Sequence, residues 1–158
     1  MSADFQIDKL DKAILELLIQ DARISYQEIA RRLDVSGPTI HIRINKMRYA
    51  GVITGTRMDV NVALLGYSVC AFVGINLINA RDYPRVLAKL EKLPQVVEAH
   101  YTTGQYSIFA KVQLKSTRDL HLFLVEGLQA IPQIQSTETF ISLDTPIDRP
   151  LPMDVLLE

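Results

Sequence analysis

A chain of 158 residues, 48% hydrophobic and with a formal net charge of −1, carries enough apolar content for one globular domain or two small ones. Its longest apolar run, Val69 to Ile75, is too short to span a bilayer. The single cysteine, Cys70, excludes an intrachain disulfide, and Met1 to Gln6 lacks the basic-then-apolar pattern of a signal peptide, so a cytoplasmic, reducing environment is expected.

Asp8 is placed to cap a first helix in which Leu10, Ile14, Leu17 and Leu18 recur at helical spacing as far as Asp21-Ala22-Arg23. Ser25-Tyr26-Gln27-Glu28 then reads as a capping box. The Ser25 hydroxyl accepts from the Glu28 amide, and the Glu28 side chain reaches back to the helix start. After the break at Asp34-Val35, Ser36 caps a third helix with Pro38 in its first turn, where a missing amide donor costs nothing. That helix should run to about Ala50, with Gly51 as its left-handed stop.

At about 100° per residue, Ile40, Ile44 and Met47 share one narrow inward stripe. The opposite side carries Thr39, Ile42, Asn45, Lys46 and Tyr49, flanked by His41, Arg43 and Arg48. Two short helices joined by a tight turn, the second polar on its outer face, form a helix-turn-helix, whose second helix enters the major groove of double-stranded DNA. Between Ser36 and Met58 the charged residues are Arg43, Lys46, Arg48 and Arg57, with no acid, a local cationic strip suited to phosphates.

Thr39, His41, Asn45 and Lys46 are the expected groove contacts, and Ile42 suits a thymine methyl. Ser36 is a cap first and a phosphate ligand second. Arg43 borders the buried stripe, so pairing with an acid such as Asp11 or Glu16 competes with DNA contact. Val52 to Asp59 alternates apolar and polar around Gly55 and suggests a short wing, with Arg57 near a phosphate or simply facing solvent.

Residues 1–60 are thus read as the DNA-binding domain and 61–67, containing Gly66, as a linker, with a second domain over 68–158. In it, Ser68 to Leu77 reads as a strand. A helix capped by Asp82 follows to about Leu93, where Pro94 ends it. Val96 to Thr103 and Tyr106 to Leu114 read as a hairpin turning at Gly104-Gln105. Ser116 caps a helix stopped by Pro132, and Ile134 to Leu143 is a last strand.

The β-α-β-β-α-β order predicts a ferredoxin-like antiparallel sheet with both helices on one face, making the whole an α+β protein. Val69, Ala71 and Val73 alternate with Cys70, Phe72 and Gly74, leaving no polar side, so the open face should be buried by pairing with a second copy. The resulting two-fold axis suits paired DNA half-sites.

This order, a winged helix-turn-helix followed by a βαββαβ domain, resembles the Lrp/AsnC (feast/famine) family of transcription regulators over essentially the whole chain. The similarity is carried by Leu10-Asp11, by Ser36, Ile40, Arg43, Ile44 and Met47 through the third helix, and by Gly51-Val52-Ile53. Tyr101-Thr102-Thr103-Gly104-Gln105-Tyr106-Ser107-Ile108 and Gln135-Ser136-Thr137-Glu138-Thr139 look especially like the AsnC branch, which responds to asparagine. The resemblance implies dimers assembling further, often into octamers, with an amino acid bound between dimers near the hairpin turn of this effector-binding (RAM) domain.

On this chain the resemblance places Tyr101, Thr103, Gly104, Tyr106 and Ser107 near the ligand, with Gln135, Thr137 and Thr139 from the last strand and Gln129 at the end of the second helix. Gln105, Tyr106 and Ser107 stand where many family members have an acid, which suits a neutral amide ligand. Gly104 would let backbone approach the ligand, and Thr and Gln would supply donors and acceptors. The same residues also serve as β-formers, a turn glycine and packing aromatics.

No cofactor or metal is expected, since no His/Cys cluster has ligand spacing and no Gly-rich phosphate loop or Gly-x-Ser-x-Gly elbow occurs. Glu98, Glu126 and Glu138 are scattered without a nucleophile–base pair, so the expectation is a regulator and not an enzyme. An architectural DNA-organising protein of the same fold with no amino-acid effector is the alternative.

Overall fold

Three side-chain oxygens start the first three helices. In the computed structural model, which describes residues 6–152, Asp8 accepts from the Leu10 and Asp11 amides at 2.9 and 3.0 Å and opens α1 (Lys9–Gln20). Asp11 in turn accepts from the Asp8 amide at 3.3 Å, so the reciprocal capping box forms here. Ser25 caps α2 (Tyr26–Arg32) through the Glu28 amide at 3.1 Å, and Ser36 caps α3 (Gly37–Tyr49) through the Thr39 amide at 3.3 Å. Each such cap contributes about 1 kcal/mol.

The box expected at α2 is only half made. Glu28 turns away from the helix start to Arg31 and Arg32, which donate to it at 2.7 to 2.9 Å. Two cations one turn onward outcompete a single neutral amide. The α2–α3 turn passes through Asp34 at φ 52°, a left-handed conformation in a residue that tolerates it, and Gly51 at φ 77° ends α3. Ile14, Ile29, Ile40, Ile44 and Met47 fill the centre of the three-helix core and are almost wholly buried.

The expected wing is not a hydrogen-bonded ribbon. Val52 and Ile53 donate to the Met47 carbonyl at 2.9 and 3.2 Å, and residues 53–61 run on without a strand. Among the described residues no strand pairs with it. A short 3₁₀ turn, Val62–Leu65, follows, capped by Asn61 and closed by Gly66 at φ 90°. By contact density residues 60–146 form one compact unit, while 147–152 group with 6–59 in the other.

In the second unit β1 (Val69–Leu77) is central, paired antiparallel with β3 (Ile108–Leu114) on one side and β4 (Ile134–Ile141) on the other. β2 (Val96–Tyr101) lies outside β3, giving the order β2-β3-β1-β4. Ala71, Val73, Ile75 and Leu77 point to one face with Ile108, Val112 and Leu114. There they pack beneath α4 (Tyr83–Leu90) and α5 (Thr117–Leu122), chiefly against Val86, Leu90, Leu120 and Phe123. Each such side chain stabilises the fold by about 1.5–3 kcal/mol through removal from water.

Local details depart from expectation. Asp82 occupies the cap position of α4 without a side-chain hydrogen bond, its carboxylate lying 3.9 Å from Arg85 instead, and the helix ends at Leu90, short of Leu93. α5 runs on as a π-helical turn, Phe123–Leu128, in which the Gln129 amide reaches the Leu124 carbonyl. β2 and β3 are joined by six residues, 102–107, and not by a two-residue turn.

Candidate functional site

The outer face of α3 is the first candidate. Ile40, Ile44 and Met47 hold the helix down, which leaves His41, Ile42, Lys46, Arg48 and Tyr49 exposed, with Asn45 half-buried between them. Ile42 is 65% and Tyr49 93% exposed, so an apolar and an aromatic tip project from an otherwise polar face. Asn45 Nδ2 and His41 Nδ1 lie 3.2 Å apart, and the His41 ring meets the edge of Tyr26 at 5.8 Å. This couples the two side chains in one arrangement. Ser36 and Thr39 share a hydroxyl contact at 2.7 Å at the helix start. Arg57 is exposed on the extended segment that follows.

Arg43 is turned the other way. Its guanidinium pairs with Asp8 and lies 3.3 Å from both carboxylate oxygens of Asp11, which is only 1% exposed. The backbone amide of Asp11 and then the Arg43 guanidinium hold the Asp8 carboxyl below its ordinary value, and Asp8 in turn raises Arg43. Of the two roles open to Arg43 in the sequence, the structure shows the ion pair that ties α3 to the start of α1. On α2, Arg31 and then Arg32 hold the Glu28 carboxyl down at about 2. Tyr49 stands on the outer face where the sequence places it, and Tyr26 joins that face through its ring contact with His41. Tyr49 lies on the outer face by periodicity alone, whereas the place of Tyr26 against His41 depends on the α2–α3 turn.

The second candidate is the 102–107 turn at one end of the sheet. Gly104 sits at φ 126°, where an L side chain is strained, yet among the described residues nothing beyond its chain neighbours lies within 4 Å of where its Cβ would be. The turn is closed by Thr102, whose amide donates to the Ser107 carbonyl at 3.1 Å and whose hydroxyl donates to the Tyr106 carbonyl at 2.7 Å. The Ser107 amide then donates to Ile75 at 2.9 Å, fastening the turn to β1.

Across β1, Ile75 also pairs with Thr137, so the beginning of β4 comes to the same end of the sheet. Gln135 is exposed there and Thr137 half-buried. Thr139 pairs with Val73, one step further along the same face. Tyr101 is 57% exposed, its ring 4.3 Å from Tyr83. Thr103 and Gly104 are open to solvent, as is Gln129 at the end of the π turn. The structure thus groups the turn with Gln135 and Thr137, while Tyr106 faces elsewhere.

Tyr106 lies on the sheet face opposite the helices. Its hydroxyl donates to Glu138, and that carboxylate raises the phenol above its ordinary value. Phe109 and Phe140 lie 6.0 and 6.4 Å from its ring, and Phe72 stacks on Phe109 at 5.8 Å. The open face is therefore an aromatic cluster.

Two family models together match most of the chain. The AsnC-type helix-turn-helix domain matches residues 7–48, and the Lrp/AsnC ligand binding domain matches 70–152. The chain is 52% identical over 146 residues to Regulatory protein AsnC of Escherichia coli K12, covering 92% of this chain and 96% of that protein. To Regulatory protein AsnC of Haemophilus influenzae it is 50% identical over 143 residues, covering 90% and 95%. The solved structure of Escherichia coli AsnC superimposes with a TM-score of 0.89 at 52% identity, over 93% of this chain and 99% of that one. A transcriptional regulator of Neisseria meningitidis, solved as its L-Met complex, shares the fold with a TM-score of 0.90 at 20% identity, over 96% and 100%.

Proposed function

The chain belongs to the Lrp/AsnC family of transcriptional regulators, with a helix-turn-helix domain and a ligand-binding domain, and on that premise we propose that it binds operator DNA sequence-specifically under the control of asparagine. The observation that carries the DNA half is the outer face of α3. There Asn45, paired with His41, suits an adenine edge, Ile42 suits a thymine methyl, and Lys46 suits a guanine or a phosphate. Thr39 faces the groove with them, and Ser36 and Arg57 set the register along the backbone. Arg43 acts indirectly by holding α3 in place.

The effector half rests on the turn. Gly104 offers backbone groups unobstructed by a side chain, next to the exposed Thr103, and Gln135 and Thr137 supply donors and acceptors for a ligand amide. Tyr101 walls the same end of the sheet, with Ser107, Thr139 and Gln129 around it. An amino acid as effector class is supported by the ligand-binding family model and by the L-Met complex of the Neisseria regulator. Two chains pair through the aromatic open face of the sheet, and dimers assemble further, to an octamer, with the ligand between them. Asparagine acts by binding the DNA-competent and incompetent arrangements with different affinity.

The test is calorimetry of asparagine into the full-length protein, alongside anisotropy of labelled DNA from upstream of its own gene and of unrelated DNA. Heat of asparagine binding together with at least about a thousandfold preference for the upstream DNA supports the proposal. Equal affinity for both DNAs and no heat from any amino acid points to the architectural protein instead.

A further inference from the structure

Gly74 lies in the middle of β1, on the open face, and its missing side chain is replaced by a neighbour. A Cβ at this position would stand 2.6 to 2.7 Å from three carbons of the Tyr106 ring. Glu138, which accepts from the Tyr106 hydroxyl, is the β4 residue paired with Gly74. Tyr106 therefore leaves the turn, lies flat across β1 and is fastened on β4, with Phe109 and Phe140 beside it.

The other end of the residue is equally constrained. Its carbonyl accepts from the Thr102 hydroxyl at 2.7 Å, and the next amide, Ser107, is bonded to Ile75. Thr103, Gly104 and Gln105 thus sit between two anchors, and any shift in their backbone is carried to a ring on the opposite side of the sheet. Conversely, lifting the ring uncovers Gly74 and frees the Glu138 carboxylate on the face made of Phe72, Phe109 and Phe140.

We propose that Tyr106 is a positioning residue, not a ligand contact, that couples the 102–107 turn to the aromatic open face of the sheet through its seat on Gly74 and its bond to Glu138. This rests on the effector reading above only for what loads the turn; the coupling itself belongs to the chain without ligand. Amino-acid binding at the turn is then felt directly at the surface where two chains pair.

Hydrogen exchange on the full-length protein without ligand tests it. Gly74→Ala unseats the ring, and Tyr106→Phe removes the bond to Glu138 while keeping the ring. In both, the Thr102 and Ser107 amides are expected to exchange about five- to tenfold faster, the size of one lost hydrogen bond. Val73 and Ala110, deep in the sheet, stay unchanged. As single changes in the natural protein, Glu138→Gln keeps an acceptor for the Tyr106 hydroxyl and keeps the slow exchange, whereas Glu138→Leu removes it and speeds exchange at 102 and 107 like Tyr106→Phe.

Calorimetry adds a second arm, in which Tyr106→Phe binds asparagine within about threefold of the natural protein yet loses the asparagine-induced change in sedimentation. Unchanged exchange at 102 and 107 in both Gly74→Ala and Tyr106→Phe overturns the coupling. So does loss of asparagine binding itself in Tyr106→Phe, which would make the hydroxyl a ligand contact. No asparagine binding by the natural protein would overturn the effector reading, leaving the exchange result to decide the coupling.

Discussion

Replacing Arg43 with Met keeps most of the stem of the side chain and removes the charge that faces Asp8 and Asp11. Asp11 is almost wholly buried and loses both contacts at 3.3 Å. Removing one partner of a fully buried pair costs about 3–5 kcal/mol. Here the Arg43 side chain is 31% and that of Asp8 49% exposed, and Asp8 keeps its bonds from Leu10 and Asp11. About 2 kcal/mol is the appropriate scale. In urea unfolding followed by circular dichroism at fixed chain concentration, the midpoint should fall by about 1 M.

A second variant sharpens the case. Arg43→Met combined with Asp11→Asn leaves no buried orphaned charge, since Asp8 is half-exposed and keeps two amide bonds, and should recover about half of the loss. The dependence of operator affinity on salt should keep its slope in Arg43→Met, since no phosphate contact is removed. An unchanged urea midpoint, together with a salt slope shallower by about one, would place Arg43 on the DNA and refute the ion-pair role.

Glu28→Gln tests the α2 pairs through pH. Folding lowers the Glu28 carboxyl from an ordinary 4.5 to about 2, so its contribution is fully present above the unfolded value and is lost as pH falls from about 4.5 towards 2. The melting temperature of the natural protein should exceed that of the variant near neutrality, and the gap should close across that window. Asp34→Gly removes the Cβ from the left-handed φ of 52° in the α2–α3 turn, and because aspartate already tolerates that conformation and glycine costs chain entropy, unfolding free energy in urea titration should change by no more than about 0.5 kcal/mol. Gly104→Val puts a β-branched side chain at φ 126°, so the asparagine concentration at half-effect should rise at least about tenfold while operator affinity without asparagine stays level.

The helix starts were legible because a cap is a local event. Asp8, Ser25 and Ser36 each act within three residues, and so do the stop at Gly51 and the turn proline of α4. The inward stripe of Ile40, Ile44 and Met47 and the alternation of β1 were equally readable, because burial repeats with the period of the element. The whole order of strands and helices followed from these.

Competition between alternatives was harder to read. Glu28 had a backbone amide and two arginines within reach, and the arginines won. The segment expected as a wing needs a pairing strand, and none of the described strands pairs with it. Gly104-Gln105 matched a two-residue turn, but Thr102 closes a wider one by bonding Tyr106 and Ser107. That wider turn changes which way Tyr106 points, and nothing local records that its ring rests on Gly74, a residue 32 positions earlier in the chain.

The most direct measurement of the central claim is a titration of asparagine into a preformed complex of the full-length protein with labelled DNA from upstream of its own gene, followed by anisotropy at fixed ionic strength. The account predicts a saturable change in bound fraction with asparagine that aspartate and leucine do not produce at the same concentration. A flat trace through millimolar asparagine, with the complex intact throughout, would contradict it.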